Sequence, residues 1–342
     1  MTAHHLQWAL LPDGLAQHVR VDVEGDTIVA LGESDPEQER PGVTLPGLIN
    51  AHVHLDLAGP RIAANGLPDW VRRLPRPTNG AKRFWKAVSF GTAAVVEVSN
   101  ALMTADVLAA SGMAHVVHHE VLGIDVETLP ETRGTRPSPH APYSTSAALI
   151  QQAVAAPGPM ATIHCDEDPA ERDFLATGDG AWAQFITDIG RDLSVFRPPG
   201  CTPVPYLDRL GVLNERIALV HCTLTRDEDL DLIAERGATV VLCPRSNLHI
   251  HGALPDVAGL VKRNIPLALG TDSLASCADL DLMKDVSVLT EAYPEYAQVF
   301  LQAATAGGAR VLGRADMGRI AVGARPGLWN GRWLLPPGGA AC

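Results

Sequence analysis

His52-Val53-His54 closes the apolar run 45–51, and side chains two apart on a β-strand share one face. Two imidazoles held that way offer a metal ion two neutral nitrogens at once. Residues farther along supply what such an ion still needs: His164, Glu167, His221 and Asp272, at or just past the ends of later apolar runs. Asp56 follows the pair, and the turn Pro46-Gly47 precedes it. A second pair, His249-Ile250-His251, lacks this company and reads as an ordinary surface or loop feature.

The elements that must position these residues are legible as a rhythm. Apolar runs at 45–55, 92–98, 114–122, 135–141, 160–166, 217–222, 238–243 and 266–272 alternate with amphipathic stretches. Asp227–Arg236, with Leu230 and Ile233 on its apolar side, stops at Gly237, and 256–264 repeats the pattern before Pro266. Such alternation predicts a parallel sheet. Eight units over roughly 250 residues predict an α/β fold, a closed (β/α)8 barrel of the triosephosphate-isomerase type. The alternative, an open doubly wound sheet, does not easily bring its first, fifth, sixth and eighth strands to one point. On the barrel, His52 and His54 end the first strand, His164 the fifth, His221 the sixth and Asp272 the eighth, all at the face where barrels keep their chemistry. Imidazoles with one carboxylate suit a single divalent metal, zinc first and iron(II) as the alternative. Ahead of the barrel, Val19, Val21 and Val23 alternate with Arg20 and Asp22, and Glu24-Gly25-Asp26 turns the chain into 28–31, an antiparallel hairpin.

Composition bounds the rest. A 342-residue chain that is 46% hydrophobic is ample for a core, and its net charge of −12 argues against a nucleic-acid groove. No segment approaches the roughly 20 apolar residues of a membrane span. The amino terminus lacks a basic start followed by an apolar stretch, so a cytoplasmic protein is expected. Six cysteines form no Cys-x-x-Cys pair, which removes zinc ribbons and dithiol redox sites. Cys165 and Cys222 neighbour inward histidines, so strand alternation turns them away and makes them structural thiols rather than soft ligands. Assembly into a homo-oligomer is left open.

The stretches Leu45-Pro46-Gly47-Leu48-Ile49-Asn50-Ala51-His52-Val53-His54, His140-Ala141-Pro142-Tyr143-Ser144, His164-Cys165-Asp166-Glu167, Val220-His221-Cys222 and Gly270-Thr271-Asp272-Ser273 together resemble the deaminase branch of the amidohydrolase superfamily, over about residues 44 to 290. Segments 168–171, 203–211 and 243–248 look most like deaminases of adenosine derivatives, the S-adenosylhomocysteine/methylthioadenosine and aminofutalosine deaminases. The resemblance implies a small-molecule heterocyclic substrate. It makes His52, His54, His164 and Asp272 the metal ligands, Glu167, His221 and Asp272 the catalytic residues, and His140, Arg245, Ser246 and Asn247 substrate contacts.

In that scheme the ion lowers the pKa of a water from about 16 toward about 7. Glu167 protonates the ring nitrogen beside the amine-bearing carbon, His221 holds the water and the developing oxyanion, and Asp272 relays a proton to departing ammonia. The acidic neighbours Asp166 and Asp168 are expected to raise the pKa of Glu167 and keep it protonated. Two-metal relatives bridge their ions with a strand lysine. The four lysines here, Lys82, Lys86, Lys262 and Lys284, fall on no predicted strand, so one metal is expected. Glu120, on the third strand, is a metal bridge or, as favoured here, a hydrogen-bonding group of the barrel lining. His118-His119-Glu120 mimics half of the cytidine-type zinc site, but the Cys-x-x-Cys that site requires is missing. Trp70, Trp85 and Trp182 are stacking surfaces or buried aromatics, and Arg172 and Arg197 are carboxylate binders or plain surface charges.

The resemblance also implies a small β-sandwich domain from the two termini, 1–43 and 318–342, around a barrel of 44–317. Pro326-Gly327 replaces the usual Ala-Asp near the end, and only Arg332–Leu335 is left as a last strand, so this domain is expected to be reduced. The segment 56–91 is short for the group, which alters the pocket rim. Rival readings are a hydrolase of a cyclic amide, a chloro-heterocycle or another nucleobase (guanine, cytosine) on the same scaffold, and a non-catalytic binding protein.

Overall fold

Alternating apolar and polar residues set the amino-terminal strands in the computed structural model, which describes residues 1–329 except Ala58, Asn100 and Arg133. These strands are β1 (Thr2–Leu11), β2 (Gly14–Glu24), β3 (Thr27–Glu33) and β4 (Arg40–Pro46). The expected hairpin is β2 with β3, antiparallel about Gly25, whose φ of 62° suits glycine. β1 pairs antiparallel with β2 and parallel with β4, and Leu328–Trp329 returns antiparallel to β4, giving one five-stranded sheet. Leu6, Ala9, Val19, Val21 and Ile28 bury against Ile320 and Leu328. β4 crosses the expected boundary at 43/44 and leads straight into the next strand. The expected strand Arg332–Leu335 lies outside the described residues.

Each of the eight apolar runs contains a strand: β5 (Leu48–Val53), β6 (Thr92–Ser99), β7 (Ala114–Val121), β8 (Arg136–Pro139), β9 (Ala161–Cys165), β10 (Ile217–His221), β11 (Thr239–Leu242) and β12 (Leu267–Leu269). Runs without alternation mark strands buried on both faces, and every residue of β5, β6, β9 and β10 is buried. The strands form two four-stranded parallel sheets, β5-β6-β7-β8 and β12-β11-β10-β9. Ile49, Ala51, Ala94 and Val96 of the first sheet share one buried cluster with Ala218, Val220, Val241 and Ala268 of the second, so the two inner faces pack together.

The sheets also meet at both seams. The His52 carbonyl accepts the amides of Thr271 and Asp272 (both 3.1 Å), and Val53 bridges Asp272 in parallel. At the other seam the His164 amide donates to the His140 carbonyl (2.9 Å) and the Thr162 amide to Ser138 Oγ (2.7 Å). Gly270 makes the first seam possible, because a Cβ there would stand 2.7 Å from the His52 carbonyl oxygen.

Helices pack outside the strands. Asp227–Arg236 buries Leu230 and Ile233 and ends at Gly237 (φ 71°), and Val257–Lys262 starts on an Asp256 cap that accepts the Gly259 amide. Asp166, His221, Cys222 and Asp272 all have positive φ. Non-glycine residues in that region are uncommon and gather at functional sites; here they mark the carboxyl ends of β9, β10 and β12.

Candidate active site

Alternation along β5 puts the His52 and His54 imidazoles on one side, 4.9 Å apart by ring centroids, while Val53 enters the apolar core on the other. β9 brings in His164, 4.8 Å from His52 and 5.7 Å from His54. One nitrogen from each of the three lies within 4.8 Å of the others, and all three residues are buried. His221 at the end of β10 stands 6.1 Å from His52 and 5.4 Å from His164. Asp272, beyond β12, places Oδ1 3.7 Å from His54 Nε2.

This donor set fits a cation. Both nitrogens of His52 are buried with no hydrogen-bond partner among the described residues, and unmade bonds of this kind cost about 1–3 kcal/mol each. Burial, then His164, His54 and His221, hold its pKa well below the ordinary range, so it is neutral with a free lone pair to offer. Burial and His221 also lower His164, to about 4. His164 Nδ1 donates to the His140 carbonyl (2.8 Å), which leaves Nε2 with the lone pair. At His54, burial lowers the pKa, but Glu120, Asp272 and Asp56 outweigh it and raise it. Positive charge is thus favoured at this point.

The residues behind the ring of donors fix its geometry. Asp272 Oδ2 accepts the hydroxyls of Ser246 (2.6 Å) and Ser276 (3.0 Å), which leaves Oδ1 turned to His54. Asn247 Oδ1 accepts from His221 Nδ1 (2.7 Å), so His221 presents Nε2 to Glu167 Oε2 at 3.6 Å.

Each residue of the expected substrate set has a protein partner. Ser246 and Asn247 spend their oxygens on Asp272 and His221. Arg245 points into a buried ion cluster, with Nη1 2.8 Å from Asp279 Oδ1 and Nη2 2.8 Å from Asp285 Oδ2. His140 does stand on the pocket wall, its Nδ1 2.5 Å from Ser144 Oγ and its ring 4.9 Å from His164. Arg172 is a bidentate partner of buried Asp166 (2.5 and 2.6 Å), and Arg197 binds only the carbonyls of Ser194 and Phe196 among the described residues. Trp85 is 53% exposed, whereas Trp70 and Trp182 line the pocket, Trp182 stacked on Tyr143 at 4.0 Å.

Glu167 overturns one expectation. Burial raises its carboxyl, but His221, His251 and His164 outweigh that and bring it down to about 2, so it is ionised. The acidic neighbours do not act as expected because their charge is spent elsewhere: Asp166 on Arg172, and Asp168 on the Ala170 and Leu67 amides and on His251. His251 is the residue that sequence reasoning missed. It stands one helical turn beyond Asn247, so the two share a face, and that spacing was the available signal.

Glu120 Oε1, 3.7 Å from His164 Nδ1, is buried with no hydrogen-bond partner among the described residues. Burial pushes its carboxyl up to about 7. It lines the same cavity of about 340 Å³ as His54, His164, Glu167, His221 and Asp272, a size that suits a small ligand. The far walls are apolar, built from Leu67, Trp70, Val71, Leu74, Trp182, Phe185 and Ile186.

A family model, the amidohydrolase family, matches residues 43–328. The chain belongs to the amidohydrolase family. An aminodeoxyfutalosine deaminase of Deinococcus radiodurans is 30% identical over 92% of this chain and 86% of its own length. A 5-methylthioadenosine/S-adenosylhomocysteine deaminase of Syntrophobacter fumaroxidans is 29% identical over 82% of this chain and 70% of its own. Among solved structures, the Helicobacter pylori aminofutalosine deaminase in complex with methylthio-coformycin superposes with a TM-score of 0.80 at 19% identity, covering 96% of this chain and 91% of that one. The amidohydrolase fold is therefore shared along almost the whole chain, and the resemblance to the deaminase branch is borne out. No helix among the described residues is long and apolar enough to cross a membrane.

Proposed function

We propose that this amidohydrolase is a metal-dependent deaminase that replaces the exocyclic amine of an adenosine derivative with oxygen and releases ammonia. The observation that carries the reading is the convergence of His52, His54 and His164 with Asp272, and of Glu167 with His221, at one cavity. The relatives named as deaminases of adenosine derivatives support it. The two sheets, joined at both seams, are read as one closed (β/α)8 barrel with its site at the strand carboxyl ends.

His52, His54, His164 and Asp272 would hold one divalent ion, and zinc suits three imidazoles and a carboxylate. When bound, such an ion makes a water acidic enough to attack at neutral pH. The side chains do the rest. Asp272, fixed by Ser246 and Ser276, takes a proton from the water and delivers it to the leaving amine. Glu167, ionised at rest, takes the water's other proton and passes it to the ring nitrogen next to the amine-bearing carbon, which makes that carbon electrophilic. His221, oriented by Asn247, presents Nε2 beside Glu167. Water and the amine-bearing ring are consumed, and the oxo ring and ammonia leave.

The apolar half of the cavity selects among adenosine derivatives. Among the described residues, the one arginine on its lining is Arg191, paired with Asp125 at 3.2 Å. Leu67, Trp70, Trp182, Phe185 and Ile186 suit an aryl or alkylthio group on the ribose side, and Arg191 is where a carboxylate at its end would be met. Ammonia release should be measured across adenosine, methylthioadenosine, S-adenosylhomocysteine, aminodeoxyfutalosine, guanine and cytosine. The expected result is ammonia from the substituted adenosines, ahead of adenosine itself. Ammonia from none of them, or from guanine or cytosine alone, would refute the reading.

A further inference from the structure

The second His-x-His pair has no part in the chemistry above, yet both of its rings are occupied. His249 Nδ1 lies 2.7 Å from Arg61 Nη2, and its Nε2 lies 2.9 Å from the Ile62 carbonyl oxygen. His251, its side chain 6% exposed, places Nε2 3.5 Å from Glu167 Oε1 and Nδ1 3.3 Å from Asp168 Oδ2. The same Asp168 oxygen accepts the Leu67 amide at 3.0 Å, and Leu67 opens the helix Leu67–Arg72 that carries Trp70 and Val71 into the cavity wall. One imidazole therefore joins the carboxylate beside the substrate to the segment that shapes the apolar half of the pocket.

We propose that His251 is a positioning residue for Glu167, holding its carboxylate in place through a ring anchored on Asp168. This rests on the reading of Glu167 as the proton carrier. The groups facing Glu167 are His221 from β10, His164 from β9, His140 and Tyr143 from the segment after β8, Glu171, whose Oε2 accepts the Glu167 amide at 3.0 Å, and His251 at the C-cap of the helix Pro244–Ile250. His251 is held between two carboxylates. Burial lowers its pKa, but Asp168 and Glu167 outweigh that and raise it to about 9, so the ring is cationic at neutral pH. His251 touches no residue assigned to the metal, so its effect is separable from metal loading.

Three variants of the metal-loaded enzyme test this. His251→Gln keeps a hydrogen-bond donor and loses the charge; His251→Lys keeps a charge; Glu167→Gln removes the group being positioned. With His251→Gln, kcat is expected to fall about 10–100-fold, a part of the 10²–10⁴ that a general acid contributes. KM and metal content should hold. The acid limb of the kcat/KM profile should move up by about 1–3 pH units, the size of an opposite charge removed from a carboxylate. His251→Lys should restore the limb. An unchanged limb overturns the proposal, whether kcat falls or holds, because a merely structural residue would leave the limb in place. If Glu167→Gln keeps full activity, the reading of Glu167 itself fails. If that variant is dead while His251→Gln matches the parent, only the role of His251 fails.

Discussion

Replacing Arg245 with methionine separates a structural arginine from a substrate-binding one. The guanidinium is 14% exposed and joins Asp279 (13% exposed) and the fully buried Asp285 at 2.8 Å each, with Nε 3.0 Å from Asp285. Methionine fills similar volume but leaves Asp285 with no cation. Breaking one side of a buried pair costs about 3–5 kcal/mol. Unfolding entropy near 2.1 cal/mol/K per residue, taken over the chain, turns that into a fall in melting temperature of roughly 4–7 °C.

The sign of the pH dependence also follows. Even beside Arg245, burial pushes Asp285 up to about 6, above its unfolded value. The folded state therefore binds more protons, and stability from this group is lost as pH rises through that value. Removing Arg245 raises the carboxyl further, so the deficit of the variant should be small near pH 5 and grow toward pH 8. Thermal melts of parent and variant across that range, with KM measured alongside, decide the matter. An unshifted melting temperature with KM raised about tenfold, the pattern of a lost binding contact, would refute this account and restore Arg245 to the substrate.

Three further outcomes are expected. Glu167→Gln should keep its metal and lose about 10²–10⁴ in turnover, read by ammonia release and metal analysis together. Ser246→Ala, which strips Asp272 of its 2.6 Å hydroxyl, should lower kcat and leave the second hydroxyl, from Ser276, to hold partial activity; a kcat equal to the parent's would contradict the orienting role. His118, buried and depressed to about 3 chiefly by burial, is neutral when folded and gains a proton on unfolding below about pH 6.5. Its contribution is therefore present at neutral pH and lost as pH falls, by about 2 kcal/mol at pH 5; His118→Gln should flatten that part of the acid-unfolding curve, and an unchanged slope would count against it.

The strands were legible because each is a short apolar run bounded by turns, and burial on both faces leaves no other pattern to confuse with it. His52 and His54 were legible because period-two spacing fixes a shared direction without any tertiary knowledge. Side-chain partnerships were not. Arg245 meets Asp279 and Asp285, and His251 meets Glu167, across 34 or more positions of sequence. Adjacent charges in Asp166-Glu167-Asp168 look like mutual repulsion on paper, yet backbone turns send Asp166 to Arg172 and set Glu167 and Asp168 on either side of His251. Ser246 and Asn247 fell at the expected mouth but face inward, because the helix Pro244–Ile250 begins just after β11 and lays them against Asp272 and His221.

Anomalous diffraction at the zinc edge, on crystals of protein grown with zinc, tests the central claim most directly. One peak per chain is expected, at the roughly 2.0–2.1 Å typical of zinc–imidazole bonds from His52, His54 and His164, with Asp272 as the carboxylate. A zinc peak elsewhere, or none among these residues, would contradict the account.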